Sequence, residues 1–297
     1  MFSGSMVAIA TPMSEDGGID WPGWERLLDF HLQASTDGIV VAGTTGESAS
    51  LELSEVAELT RRAVARCRGR AQVVVGAGGN GTAATVDRVR KLSALGVDGV
   101  LLVTPYYNKP PQEGLFRHFS AAADASQAPV ILYNVPSRTA VDLLPATVAR
   151  LARHPRIVAL KEAVGTRERG VQLIEACPAD FALLSGDDAS NVELMSIGAK
   201  GVISVTANIA PRQMHEVCAA CRAGDFAAAR RIDATLAALH RDLFVESNPI
   251  PVKWALAELG LIGNAIRLPL VELSAAHRET VRRAMQVAGL TREGRAA

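Results

Sequence analysis

Short runs dense in valine, isoleucine and leucine recur along the chain at residues 6–10, 38–42, 72–76, 99–103, 130–134, 157–161, 181–185 and 201–205. Each has the length of a buried strand. Between most of them, apolar positions fall at helical spacing, at 21–34, 55–68, 83–95, 114–125 and 145–153, each stretch long enough to cross back over a sheet. Alternation of this kind gives parallel strands, and eight units suit closure, so the expected class is α/β, a (β/α)8 TIM barrel. An open doubly wound sheet is the alternative that the pattern alone leaves open. From about residue 211 the chain reads as helical apart from a break at Asn248-Pro-Ile-Pro251, a tail too long for one barrel helix. The expected organisation is a barrel core over 1–210 and a C-terminal helical region over 211–297 that includes the last barrel helix.

Composition narrows the function classes. The 297 residues are 48% hydrophobic, enough for a large core without disulfide or metal, and 31 basic residues balance 31 acidic ones. No basic tract suggests nucleic acid as a partner. The N-terminus lacks the basic and apolar segments of a signal peptide, and no stretch approaches the roughly 18 apolar residues of a membrane helix. A soluble cytoplasmic protein is the expectation.

Two motifs suggest other chemistry and are better read as packing. Cys218 and Cys221 form a CxxC, but no second CxxC exists and the periodicity of 213–222 puts both sulfurs on one face of a helix, as buried free thiols. Gly76-Ala-Gly-Gly-Asn-Gly81 matches a dinucleotide fingerprint, with Asp98 about twenty residues further on. It lies in the third unit rather than the first, and a tight turn after a barrel strand explains its glycines equally well. Ser54 reads as a helix cap.

In a barrel of this type the C-terminal strand ends form the active-site mouth, and the unusual side chains fall there. Lys161 ends the sixth run, placing an amine where packing residues are expected. Burial disfavours the charged form of an amine, and a neutral amine attacks carbonyls to form Schiff bases. All three tyrosines sit at strand ends: Tyr106 and Tyr107 after the fourth, Tyr133 on the fifth. Alone, Tyr133 would read as a core aromatic; beside Lys161 it reads as a proton carrier. Gly43-Thr-Thr-Gly46 offers hydroxyls and turn N–H groups that suit a carboxylate, or simply cap a helix. Arg138 suits a second carboxylate, or a surface ion pair. Together these groups describe metal-free carbon–carbon bond chemistry on a 2-oxo acid, with pyruvate the simplest case.

The segments Gly43-Thr-Thr-Gly-Glu-Ser48, Thr104-Pro-Tyr-Tyr-Asn108, Tyr133-Asn-Val-Pro-Ser-Arg-Thr139, Lys161-Glu-Ala163, Ser185-Gly-Asp-Asp188, Gly201-Val-Ile-Ser204 and Asn248-Pro-Ile-Pro-Val-Lys253 carry a resemblance that runs essentially end to end. The chain resembles the dihydrodipicolinate synthases of the N-acetylneuraminate lyase family of class I aldolases. The resemblance implies that Lys161 forms the imine with pyruvate, that Tyr133, Thr44 and a neighbouring subunit's Tyr107 relay protons, and that Thr45, Gly186 and Ile203 bind pyruvate. Arg138 would bind the carboxylate of L-aspartate 4-semialdehyde. It also implies a homotetramer built as a dimer of dimers, no cofactor, and a place in diaminopimelate and lysine biosynthesis. Sugar-acid lyases share the lysine, the tyrosine and the turn, and Arg138 argues for the shorter aldehyde. A non-catalytic keto-acid or lysine sensor on the same scaffold is the remaining alternative.

Lysine-inhibited members of that family use positions that correspond to Ser48, Ala49, Leu53, Val56, Asn80, Ala84 and Tyr106. Leu53 and Val56 stand where histidine is usual, and Ala84 where glutamate is usual. Losing such partners in a desolvated pocket costs about 1 to 3 kcal/mol each, so free lysine is expected to inhibit weakly or not at all. An activity assay across millimolar lysine checks this: activity should stay above half at about 1 mM, and half-inhibition below that level would contradict the reading.

Overall fold

The computed structural model describes residues 2–291; residue 1 and residues 292–297, the end of the expected helical tail, lie outside them. Eight parallel strands, β1 (Gly4–Ala8), β2 (Gly38–Val41), β3 (Gln72–Gly76), β4 (Gly99–Val103), β5 (Val130–Asn134), β6 (Ile157–Glu162), β7 (Ala182–Ser185) and β8 (Gly201–Ser204), close into a barrel in sequence order. Closure is completed by β8 pairing with β1, Gly201 opposite Gly4. The doubly wound alternative is excluded.

The strands are apolar over most of their length because both faces are covered. Met6, Ala8, Val40, Val74, Leu101, Ile131, Ala159, Leu184 and Ile203 fill the barrel interior. Their neighbours Val7, Ile39, Val73, Val75, Leu102 and Leu132 face outward, against the helical layer. Among the described residues that layer comprises α1 (Trp21–Gln33), α2 (Leu53–Cys67), α3 (Thr82–Ser93), α4 (Gln112–Asp124), α5 (Pro136–Thr139), α6 (Pro145–Leu151), α7 (Arg167–Ala176), α8 (Asn191–Ser196), α9 (Pro211–Arg222), α10 (Phe226–Asp242), α11 (Ile250–Glu258) and α12 (Ala275–Val287).

Three local expectations need correction. The cap of α2 is Glu52, not Ser54: the Glu52 and Glu55 side chains accept each other's backbone N–H groups in a capping box, and Ser54 lies inside the helix. The tail is not wholly helical, because residues 259–274 contain Gly260, Gly263 and Pro269 and carry no helix. The break expected at Asn248–Pro251 instead spans residues 243–249: it begins where α10 ends, and Pro251 already sits in the first turn of α11, where a missing N–H costs nothing. The two thiols of the CxxC are buried and free on α9, and burial pushes Cys218 up to about 12 and Cys221 up to about 11, which leaves them inert.

Candidate active site

The β5–β6 pairing contains one irregularity, and it positions the candidate nucleophile. Val130 pairs with Ile157, yet Ile131 pairs with Ala159, so Val158 is an extra residue and every later pair is offset by one. Lys161 therefore lies opposite Tyr133 rather than opposite Asn134. Both side chains follow Ala159 and Ile131 onto the barrel's inner face, two residues on. Lys161 Nζ stands 4.3 Å from the centroid of the Tyr133 ring, with Lys161 4% and Tyr133 5% exposed.

On the outer face the next pair of residues locks that register. The Asn134 amide donates to both Glu162 carboxylate oxygens, at 3.0 and 3.1 Å, and to Asp142 at 2.7 Å, while its oxygen accepts from Leu143 N–H at 3.0 Å. Glu162 also accepts from Val164 N–H at 2.8 Å. Burial holds the Glu162 carboxyl above its usual range, with the Asn134 hydrogen bond opposing.

The turn after β2 is built by Gly46 and Ser48 N–H groups donating to the Gly43 carbonyl and by Glu47 N–H donating to the Thr44 carbonyl. Thr45 is buried, and its Oγ1 accepts from the Asn248 amide at 3.0 Å, which leaves its own O–H to donate elsewhere. Glu47 takes a left-handed conformation that aims its carboxylate inward to Lys253, a buried ion pair, and it also accepts from Arg267 N–H at 3.1 Å. Burial pushes the Lys253 ammonium below its usual range, and Glu47 opposes that shift. Asn248 binds a second element as well, its carbonyl accepting from the Arg138 guanidinium at 3.3 Å.

A cavity of about 480 Å3 opens here, with Thr44, Ser48, Tyr106, Arg138 and Asn248 on its walls. A chamber of about 30 Å3 shares Thr44 and Ser48 with it and reaches Tyr133. Ile203 is buried on β8, and Gly186 N–H donates to the Glu162 carbonyl at 2.7 Å, an approach that would leave a Cβ tightly against the Ala163 Cβ and the Glu162 backbone. Tyr107 is 89% exposed and lines neither space, so the single chain does not bring it to Tyr133. Of the seven effector positions, Ser48, Ala49 and Tyr106 share the cavity; Leu53, Val56, Asn80 and Ala84 do not line it, and Val56 belongs to the core. In the glycine run, a Cβ on Gly76 would meet the Ala42 carbonyl and one on Gly78 the Val103 backbone, so the glycines admit neighbouring strands.

The sequence matches the model of the dihydrodipicolinate synthetase family over residues 1–288. The chain belongs to that family. It is 55% identical to the 4-hydroxy-tetrahydrodipicolinate synthase of Methylococcus capsulatus over 290 residues, covering 98% of this chain and 100% of the relative. Identity to the synthase of Stutzerimonas stutzeri is 53%, covering 98% and 99%. Among solved structures, the chloride-inhibited dihydrodipicolinate synthase of Acinetobacter baumannii complexed with pyruvate superposes with a TM-score of 0.96 at 48% identity, covering 98% and 100%.

Three features of the site carried no role in the sequence reading: the Asn134–Glu162 tie, the Asn248 amide and the Glu47–Lys253 pair. A lysine inside the apolar run of α11 was the available signal for the last. Replacing Asn134→Ala removes the amide that satisfies buried Glu162 and should lower stability by about 1–3 kcal/mol, read as a drop in denaturant midpoint. An unchanged midpoint would show that the tie is not a constraint on β5 and β6.

Proposed function

We propose that this chain condenses pyruvate with L-aspartate 4-semialdehyde to give 4-hydroxy-tetrahydrodipicolinate, the committed step towards diaminopimelate and lysine. The observation that carries the reading is a buried amine against a phenol ring at the barrel mouth of a chain that matches its family over nearly its full length.

In this reading the Lys161 amine attacks C2 of pyruvate, and loss of water leaves an iminium. That cation accepts electrons from the adjacent C–H bond, so a methyl proton leaves and an enamine forms. Tyr133 is the group assigned to take and return protons, with Thr44 beside the same chamber. The enamine carbon attacks the aldehyde, whose oxygen is protonated. The amine of the aldehyde substrate then displaces Lys161 from C2, closing the ring and freeing the enzyme. Thr45 suits the pyruvate carboxylate because the Asn248 amide already occupies an acceptor site of its hydroxyl, which directs the O–H outward. Gly186 and Ile203 are assigned to the same pocket. Among the described residues Arg138 is engaged only by a neutral carbonyl, and it retains donors for a planar carboxylate.

The proposed assembly is a homotetramer of two tight dimers in which Tyr107 of one subunit completes the neighbour's relay. The position of Tyr107 supports this, since a phenol 89% exposed at the rim of the barrel mouth is available to a second copy. A cytoplasmic location belongs to the same reading. No described helix is long and apolar enough to cross a membrane.

A coupled assay that offers aspartate semialdehyde, N-acetylneuraminate and other sugar acids in parallel tests the reaction. Turnover is expected with the semialdehyde and pyruvate alone, and Arg138→Ala should raise the KM for the semialdehyde at least about tenfold while moving that for pyruvate less than about twofold. Sugar-acid cleavage at a comparable rate would assign the chain to the lyase branch instead.

A further inference from the structure

The barrel mouth carries one cation more than the proposed reaction uses, and the inference that follows rests on that reaction. Four charged side chains line the 480 Å3 cavity: Glu47, Arg88, Arg138 and Arg267. Glu47 is paired with buried Lys253. Arg267 is held by Glu55 at 2.7 Å and by the Ser50 carbonyl at 2.8 Å. Among the described residues Arg138 donates only to the Asn248 carbonyl, and it is assigned to the carboxylate of the aldehyde. The carboxylate of pyruvate is assigned to neutral donors around Thr45. Arg88 has no task in this scheme.

Arg88 lies midway along α3 and is half-buried, and among the described residues it makes no hydrogen bond or ion pair. Its own helix offers no neutralising group. Asp87 is committed to Lys91 at 2.7 Å, and Ala84, one turn earlier on the same face, is apolar. Arg88 lines both the main cavity and the small chamber that reaches Tyr133, as do Thr44 and Ser48. Two guanidiniums, Arg88 and Arg138, thus line the main cavity with no carboxylate on either among the described residues. A guanidinium partly withdrawn from water binds carboxylates bidentately and more strongly than an exposed one.

We propose that Arg88 and Arg138 together form a site for short dicarboxylate anions, one carboxylate on each guanidinium, with the Thr44 and Ser48 hydroxyls beside Arg88. A compound seated this way occupies the place of the aldehyde while leaving the pyruvate pocket free. The site therefore gives inhibition by dicarboxylic acids that is competitive with the aldehyde and not with pyruvate. Because Arg88 takes no part in bond making, it sets which anions the mouth retains.

Calorimetric titration of the full-length protein with succinate, malonate and acetate at low chloride tests this, alongside the inhibition pattern. The dicarboxylates should bind at least about tenfold more tightly than acetate, an advantage lost in Arg88→Leu and partly kept in Arg88→Lys. Equal binding of succinate and acetate, or succinate binding unchanged in Arg88→Leu, would overturn the proposal. So would an Arg88→Leu variant whose only defect is a raised KM for the aldehyde, since Arg88 would then serve the substrate. Turnover of pyruvate and aldehyde by the same wild-type preparation, without inhibitor, reports on the underlying reaction separately.

Discussion

The pairing of β5 with β6 is the constraint on which the rest of the site depends. In parallel strands, residues in register point to the same face, so a one-residue change in offset moves a side chain from the barrel interior to the helical layer. The extra residue Val158 makes that change, setting Lys161 against Tyr133 inside the barrel and Glu162 against Asn134 outside it. The proposed reactive pair and the polar tie that holds it are the two faces of one piece of sheet. Neither could shift without the other, because Glu162 is buried and its carboxyl depends on the Asn134 amide.

Similar logic fixes the side proposed to hold a carboxylate. The Gly43–Ser48 turn is held by its own backbone hydrogen bonds and by residues far away in sequence, Asn248 on Thr45 and Lys253 on Glu47. An isolated buried charge is costly, so the Glu47–Lys253 pair makes docking of α11 onto the turn nearly all-or-none. The C-terminal segment thereby becomes part of the active site's scaffold. Asn248 extends the link to Arg138, so one residue joins the wall assigned to pyruvate with the wall assigned to the aldehyde.

The barrel was legible in the sequence because its signal is local: eight apolar runs, amphipathic segments between them, and chemistry confined to strand ends. Lys161, Tyr133, Thr44, Thr45 and Arg138 could be picked out on the same ground, since each is a side chain unusual for its place. What escaped depended on pairing. Strand-end position put Tyr133 and Lys161 at the same mouth, but a bulge is invisible in one strand read alone, so the register that sets them directly opposite each other was not legible in the run 157–161. Asn134 and Glu162 looked like ordinary polar strand termini. Arg88 lies within the amphipathic segment 83–95 and was given no role there, and the cavity shows which face it occupies. The Ser54 cap failed for a local reason, because two glutamates three apart satisfied the helix start earlier than the serine could.

Covalent trapping tests the central claim most directly. Borohydride added with pyruvate reduces an imine to a stable secondary amine, and mass spectrometry of the digested protein locates it. The account requires a single pyruvate adduct, on Lys161, and none without pyruvate. An adduct on Lys253 or another lysine, or none on a preparation that turns over pyruvate, would contradict it.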